Sequence, residues 1–141
     1  MPLIRTFLLT AGVLIGGYLA AAHWLSFGVV CPGATDVSWI NCNFTINSPG
    51  STLLGIPLGF WGSLWCLGSY GMSKFPGKIL WILGGMAGTG WAIGHELYWE
   101  SWCVWCTVLQ LIIMTTSLMT WAQPKFSIGG PVPSRHEFLR K

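Results

Sequence analysis

Charged residues are scarce in this chain of 141 residues. Lysine and arginine together number 7, aspartate and glutamate number 4, and the charged fraction is 8%, against roughly 25% in an ordinary soluble domain. Apolar residues make up 52% of the chain. This composition excludes an ordinary soluble globular domain and indicates a membrane protein. The net charge of +3 gives no sign of a nucleic-acid partner.

Charge is missing altogether from four long apolar stretches. They run from Thr6 to Val30, from Pro49 to Ser73, from Ile79 to His95 and from Ser101 to Pro124. About 20 mostly apolar residues form a helix that crosses a bilayer. The sequence therefore predicts an all-α membrane protein, a bundle of four transmembrane helices. The expected segments are spans at about 6–30, 51–73, 79–98 and 102–122, an outer loop at 31–50, and a flexible tail at 123–141.

Positive charge is missing from one side of this predicted topology. With four alternating spans, all 7 lysines and arginines fall on one side, whereas Asp36, Glu96 and Glu100 fall on the other. The positive-inside rule then puts both termini and the tail in the cytoplasm. The outer loop and the turn before Cys103 face the extracytoplasmic side of the cell membrane, where the loop is expected to cap an active site.

The N-terminal stretch has a second interpretation. Arg5, an apolar run and the small residues at 20–22 also resemble a signal peptide with its cleavage site. The uncharged run, however, continues to Val30, which is longer than the usual apolar region of 7 to 15 residues. We therefore expect the first span to be retained.

Small residues recur at helical spacing in three of the four predicted spans. Gly-x-x-x-Gly motifs begin at Gly12, Gly55, Gly84 and Gly90, a pattern that lets membrane helices approach closely. The fourth span contains no glycine. We expect the first three spans to pack tightly.

The five cysteines carry the chemistry that the sequence suggests. Cys31 and Cys42 lie in the outer loop, and Cys103 and Cys106 form a C-x-x-C motif at the start of the last span. Two thiols in the first turn of a helix lie on one face, and the helix terminus favours a thiolate. Two cysteine pairs on the oxidising, extracytoplasmic side of the membrane indicate a thiol–disulfide relay. Two structural disulfides and a four-cysteine zinc site are the alternatives, and Cys66 is expected to be a buried small apolar residue.

The ordered motifs resemble the vitamin K epoxide reductase family. They are a loop cysteine pair, Ser48, the run Gly55-Ile56-Pro57-Leu58, and the C-x-x-C of Cys103 and Cys106. The resemblance extends from the first span to about Trp121, and it implies a four-helix bundle around a quinone pocket. Gln110 stands where vertebrate members have a tyrosine. Epoxide reduction and anticoagulant binding therefore do not follow from the resemblance.

The resemblance also implies a role for each cysteine. Cys106 is the quinone-reactive thiolate, and Cys103 is the thiol that exchanges with the loop pair. Cys42 forms the mixed disulfide with Cys103, and Cys31 pairs with Cys42 and meets the external thiol. The candidate quinone-contacting residues are Ser48, Ser51, Gln110 and Trp105, with Trp61 and Trp65 as further walls of the pocket. Possible proton carriers are His23, His95, Glu96 and Glu100.

These inferences predict an enzyme, a membrane thiol–disulfide oxidoreductase. It couples oxidation of a partner dithiol to reduction of a membrane quinone of the menaquinone, ubiquinone or vitamin K type, or uses the same relay to reduce vitamin K quinone or epoxide. The partner is expected to be a separate thioredoxin-like protein or another dithiol. The alternative is a non-enzymatic membrane protein with structural disulfides or a four-cysteine metal site on its outer face.

Overall fold

The structure is a computed structural model that describes residues 2–34, 37–72 and 75–122. The predicted tail, 123–141, lies outside the described residues. Five helices and one short hairpin follow each other along the chain: α1 (Pro2–Leu25), α2 (Cys42–Asn47), β1 (Thr52–Leu53), β2 (Ile56–Pro57), α3 (Leu58–Met72), α4 (Lys78–Tyr98) and α5 (Val104–Ala122).

A β-hairpin occupies the start of the predicted second span. Strands β1 and β2 pair antiparallel, with Leu53 opposite Ile56. The turn between them places Leu54 at φ 56° and Gly55 at φ 76°. Positive φ at both central residues is typical of a tight two-residue hairpin turn. Because the hairpin takes up these residues, α3 begins only at Leu58 and has 15 residues.

Two of the long helices end on a non-glycine residue with positive φ. Ser26 follows α1 at φ 54°, and Glu100 follows α4 at φ 48°. At the end of α4, the backbone N–H of Ser101 donates to the carbonyl oxygen of Glu96 at 3.1 Å, which satisfies one of the last carbonyls of the helix. The chain then turns directly into the C-x-x-C segment.

The four long helices pack side by side, with α3 mainly against α1 and α4 mainly against α5. Close approach of α1 and α3 depends on Gly16 and Gly59, since a Cβ on Gly16 would lie 2.6 Å from the carbonyl oxygen of Gly59. Helices α3 and α4 contact each other little. Buried aliphatic and cysteine side chains form one core between these helices: Leu9, Leu19, Cys42, Cys66, Cys103, Leu109, Ile112 and Ile113.

The predicted bundle of four transmembrane spans is wrong. Among the described residues, only two helices are long and apolar enough to cross a membrane, Leu3–Leu25 and Val104–Ala122. Helix α3 is too short, because its 15 residues extend about 22 Å against a hydrocarbon core of about 30 Å. Helix α4 has sufficient length, but its glycines and the pair His95-Glu96 lower its hydropathy.

Candidate redox site

The loop cysteines form a disulfide. The sulfur atoms of Cys31 and Cys42 lie 2.01 Å apart, which confirms the pairing implied by the resemblance. The bond joins the segment after α1 to the first residue of α2. A side-chain bridge supports the same connection, because Asn43 accepts from the N–H of Val29 at 2.7 Å and donates to its carbonyl at 3.3 Å. Helix α2 is thereby fixed over the end of α1.

The two cysteine pairs are brought together by a β-bridge between Ile40 and Trp102. The N–H of Asn41 donates to the carbonyl of Trp102 at 3.0 Å. Cys42 and Cys103 each follow one member of this hydrogen-bonded pair, and both are fully buried in the same core. The loop disulfide and the C-x-x-C thus lie next to each other, although the chain separates them by the whole of α3 and α4.

Buried hydroxyl groups reinforce this contact. The Oγ1 atom of Thr45 in α2 lies 2.9 Å from Oγ of Ser101, and it also donates to the carbonyl of Asn41 at 2.8 Å. Because these groups are buried, losing one partner would leave the other unsatisfied at a cost of about 1–3 kcal/mol. The register between the loop and the C-x-x-C segment is therefore held by both backbone and side chains.

Cys103 and Cys106 are free thiols. Cys103 immediately precedes α5, and Cys106 lies in its first turn. The backbone N–H of Cys106 donates to Sγ of Cys103 at 3.3 Å. Hydrogen bonding from the Cys106 side chain, with smaller help from backbone N–H groups, lowers the pKa of Cys103, although burial opposes that shift. These contacts favour a thiolate at Cys103, as expected at a helix N-terminus, whereas the resemblance assigned the thiolate to Cys106.

A cavity of about 350 Å³ lies between α3, α4 and α5. That volume is at the lower end of the range for small-molecule sites. Of the five cysteines, only Cys106 lines the cavity. Most of the wall is apolar or glycine: Leu19, Leu53, Pro57, Leu58, Trp61, Leu64, Trp65, Trp81, Gly84, Gly85, Gly88, Leu109 and Ile113. The polar groups on the wall are His23, Thr45, Ser51, Thr89, His95, Glu96 and Gln110.

The predicted quinone-contacting residues divide into two groups. Ser51 and Gln110 line the cavity, together with Trp61 and Trp65. Ser48 does not; its hydroxyl donates to the carbonyl of Thr45 at 2.9 Å and lies 3.1 Å from Nε2 of His95. Trp105 does not line the cavity either. Its indole N–H donates to the carbonyl of Val30 at 2.7 Å, so it ties α5 to the segment before the loop disulfide.

The possible proton carriers are also separated by the fold. His23 lies on the cavity wall with Nδ1 at 2.8 Å from the carbonyl oxygen of Ile46. His95 lines the cavity and has Nε2 at 3.0 Å from the carbonyl oxygen of Pro49. Glu100 is exposed in the turn after α4. Glu96 lines the cavity and is only 1% exposed.

The sequence predicts Glu96 as one of four possible proton carriers, and the structure distinguishes it from the other three. Neither of its carboxyl oxygens has a hydrogen-bond partner among the described residues. Burial raises the pKa of Glu96 to about 7, while the Gln110 side chain and the Cys103 backbone oppose the rise without reaching good hydrogen-bond geometry. The available signal was an acidic residue near the end of an apolar segment, a short distance before the C-x-x-C.

The metal alternative finds little support in this geometry. Cys31 and Cys42 are bonded to each other, so they offer no thiolates to a metal ion. Within residues 2–34, 37–72 and 75–122, no group of three or more His, Cys, Asp or Glu side chains is placed to hold one. The site is thus built from a disulfide, an adjacent dithiol and an apolar cavity.

Comparison of the chain with protein-family models, with curated proteins and with solved structures finds no match in any of the three.

Proposed function

We propose that this protein is a membrane thiol–disulfide oxidoreductase of the vitamin K epoxide reductase type, which oxidises a partner dithiol and reduces a quinone. One observation carries the proposal. The cavity beside the C-x-x-C is bordered by Cys106 alone among the five cysteines. Cys103 follows Trp102, whose carbonyl accepts from the N–H of Asn41, the residue before Cys42 of the loop disulfide. Each thiol of the C-x-x-C therefore borders a different reaction partner.

The cavity suits a quinone ring in shape and polarity. Its wall is largely apolar, and two tryptophans, Trp61 and Trp65, contribute aromatic surface. The amide nitrogen of Gln110 is buried and has no acceptor among the described residues. A buried donor of this kind costs stability unless a ligand satisfies it, and a quinone carbonyl is a matching acceptor.

The electron path follows from the order of the groups. A partner dithiol, expected in a separate thioredoxin-like protein, reduces the disulfide of Cys31 and Cys42 by exchange. The resulting thiolate at Cys42 attacks the disulfide form of Cys103 and Cys106 at the Cys103 sulfur, which forms a mixed disulfide and releases Cys106. The Cys31 thiolate then attacks Cys42 in that mixed disulfide, which closes the loop disulfide again and leaves Cys103 and Cys106 reduced. The reduced pair of Cys103 and Cys106 then closes its disulfide again and passes two electrons to the quinone, which becomes a quinol with two protons.

Membrane association is supported by the two apolar helices. Only 28% of the apolar stretch in α1 and 39% of that in α5 is buried inside the protein. Most of this apolar surface is therefore left for lipid. Helix α1 ends shortly before Cys31, and α5 begins directly after Cys103. The redox cysteines thus lie near the C-terminal end of α1 and the N-terminal end of α5, and we assign this end to the oxidising extracytoplasmic side because disulfides persist there.

The test is a single-turnover measurement on the full-length protein in lipid nanodiscs. The protein is reduced, freed of reductant, and mixed with ubiquinone-1, whose absorbance falls as it becomes quinol. Wild type should consume about one quinone per dithiol. Cys103→Ala and Cys106→Ala should fall to the background of nanodiscs without protein, because neither variant can close the disulfide.

Cys66→Ala is the matched control. Cys66 is buried and free but does not line the cavity, so its removal should leave the stoichiometry unchanged. If wild type does not oxidise its thiols when quinone is added, or if Cys106→Ala retains the reaction, the proposed activity is wrong and a non-enzymatic role for the two pairs is favoured.

A further inference from the structure

We propose that Glu96 is the catalytic acid of this site, which donates a proton to a carbonyl oxygen of the bound quinone while the amide of Gln110 holds the ring. The inference rests on the proposed function. It assigns to Glu96 the proton transfer that quinone reduction requires, and it selects one residue from the four acidic and histidine side chains near the C-x-x-C.

The first argument is the position of the carboxyl group. Glu96 lies on the wall of the same cavity as Cys106 and Gln110, so a ring in that cavity meets all three. Its side chain is almost fully buried, yet both oxygens lack a partner among the described residues. Buried polar groups in folded proteins are nearly always paired. An unpaired carboxyl group and an unpaired amide on one cavity wall indicate that a polar ligand completes their hydrogen bonds.

The second argument excludes the other candidates as the direct donor. One ring nitrogen of each histidine already contacts a backbone carbonyl oxygen, Nδ1 of His23 at 2.8 Å from Ile46 and Nε2 of His95 at 3.0 Å from Pro49. A neutral imidazole has a single N–H, and in each ring this contact occupies it. Glu100 is exposed outside the cavity. Glu96 alone combines a position on the wall with an uncommitted acidic group.

The third argument is the protonation state of the Glu96 carboxyl group. Burial raises the pKa of Glu96 to about 7, so the acid form that can donate a proton is populated near neutral pH. A general acid works best when its pKa lies close to the operating pH. The titratable groups that face it are His23, His95 and Cys106 on the cavity wall, with Cys103 close by at the start of α5.

The reaction balances with these groups. The Cys103 thiolate and the Cys106 thiol close a disulfide and release two electrons to the quinone. One proton comes from the Cys106 thiol and the other from the Glu96 carboxyl group, which leaves the quinol, the disulfide and a Glu96 carboxylate. Glu96 recovers its proton when the partner dithiol next reduces the pair and Cys103 returns to its thiolate form.

The experiment compares Glu96→Gln with wild type in the single-turnover reaction with ubiquinone-1 in nanodiscs, from pH 5.5 to 9. Glutamine keeps the shape of the side chain but cannot donate a proton as an acid. We expect the rate of Glu96→Gln to fall by at least about 100-fold, within the range for loss of a general acid. The wild-type rate should fall as the pH rises above about 7, and that fall should be absent in Glu96→Gln.

Glu100→Gln is the matched control, since it removes an acidic residue from the same turn region outside the cavity, and it should keep the wild-type rate and profile. Mass spectrometry after alkylation should show that dithiothreitol reduces Cys103 and Cys106 to the same extent in Glu96→Gln as in wild type. Unchanged rate and pH profile in Glu96→Gln, with an active wild type, would overturn the role of Glu96 and leave the oxidoreductase proposal intact.

An inactive wild type would instead overturn the oxidoreductase proposal, and the role of Glu96 with it. If Glu96→Gln does not fold, infrared difference spectra of wild type through one turnover decide the matter. A protonated carboxyl C=O band should disappear as the quinol forms. A spectrum without that loss contradicts proton donation by Glu96.

Discussion

At the scale of single residues, the site is marked by side chains that the fold leaves unsatisfied. Glu96 and Gln110 are both buried, and both have polar atoms without partners among the described residues. Each unsatisfied group costs about 1–3 kcal/mol in the folded state. Both residues line the same cavity as the thiol of Cys106. A ligand that hydrogen-bonds to both groups would offset that cost.

The elevated pKa of Glu96 makes folding stability depend on pH. The folded-state pKa is about 7, above the ordinary value of 4.5, so the folded state binds more protons than the unfolded state between these two values. The contribution of Glu96 to the free energy of unfolding is therefore fully present below about pH 4.5 and is lost as the pH rises through about 7. The expected loss is about 3 kcal/mol, since a tenfold change in proton affinity corresponds to about 1.4 kcal/mol.

Denaturant unfolding in detergent micelles from pH 4.5 to 8 measures this loss. Glu96→Gln should flatten the dependence on pH, because glutamine does not ionise. All other ionisable groups are the same in both proteins, so the difference between the two curves isolates Glu96. Glu100→Gln should keep the wild-type slope. A slope in Glu96→Gln equal to that of wild type would show that the carboxyl group does not titrate in this window.

At the scale of elements, glycines serve two different purposes. In α1 and α3 they allow close contact, since Gly16 and Gly59 lie against each other's backbone. In α4, Gly84 and Gly88 have no atom within 4 Å of an added Cβ, and both line the cavity. The same Gly-x-x-x-Gly spacing thus brings one pair of helices together and leaves space between another pair.

Gly16→Ala tests the contact between α1 and α3. A Cβ at this position would lie 2.6 Å from the carbonyl oxygen of Gly59 and 2.8 Å from the backbone nitrogen of Ser63, so the helices must separate. We expect a loss of about 1–3 kcal/mol in the free energy of unfolding, as for other overpacked sites, measured by thermal unfolding in nanodiscs.

The neighbouring glycine provides the control for this substitution. A Cβ on Gly17 would come no closer than 4.0 Å to Ser63 Oγ, so Gly17→Ala should be neutral or slightly stabilising through helix propensity. Equal destabilisation by both substitutions would contradict the packing of α1 on α3.

Side chains from the second half of α4 and from Trp99, which follows it, hold the loop after α2 by hydrogen bonds. The indole N–H of Trp99 donates to the carbonyl of Pro49 at 3.1 Å, and that of Trp91 donates to the carbonyl of Gly50 at 3.3 Å. His95 contacts both Ser48 and Pro49. The helix that carries Glu96 therefore also fixes the segment that leads into the hairpin at the cavity.

At the scale of the whole molecule, large apolar side chains cover much of the surface. Leu14 in the middle of α1 is 68% exposed, and Leu25 at its end is 73% exposed. Apolar patches of this extent are unusual on soluble monomers. Contact with lipid is the natural explanation, because apolar side chains there face hydrocarbon in place of water.

Leu14→Lys tests this explanation. In water, replacing an exposed leucine by lysine has little effect on stability. At the centre of a membrane helix, a lysine raises the free energy of membrane insertion by about 2.5–3.5 kcal/mol. We expect less of the Leu14→Lys variant in alkaline-washed membranes. Leu25→Lys, equally exposed but at the helix end, should change the retained fraction little because lysine reaches the interface there. Equal retention of both variants would place α1 outside the bilayer.

Much of the local structure follows from the sequence because it depends on neighbours along the chain. The long helices lie in the uncharged apolar stretches, and the C-x-x-C is at the start of the last helix. The number of membrane spans does not follow in the same way. The length of an uncharged stretch does not reveal that 52–57 forms a hairpin, or that α4 has too many small and polar residues for a membrane span.

The sequence by itself therefore determined the apolar character of the helices and the cysteine motifs, and the resemblance of those motifs to the vitamin K epoxide reductase family implied the pairing of Cys31 with Cys42. Only the tertiary structure decided which polar residues meet in one cavity. The rotation of each helix about its axis selects the side chains that face inward, and that rotation depends on contacts between distant segments. It places Gln110 and Glu96 beside Cys106, and it turns Ser48 and Trp105 toward the backbone of the loop segments.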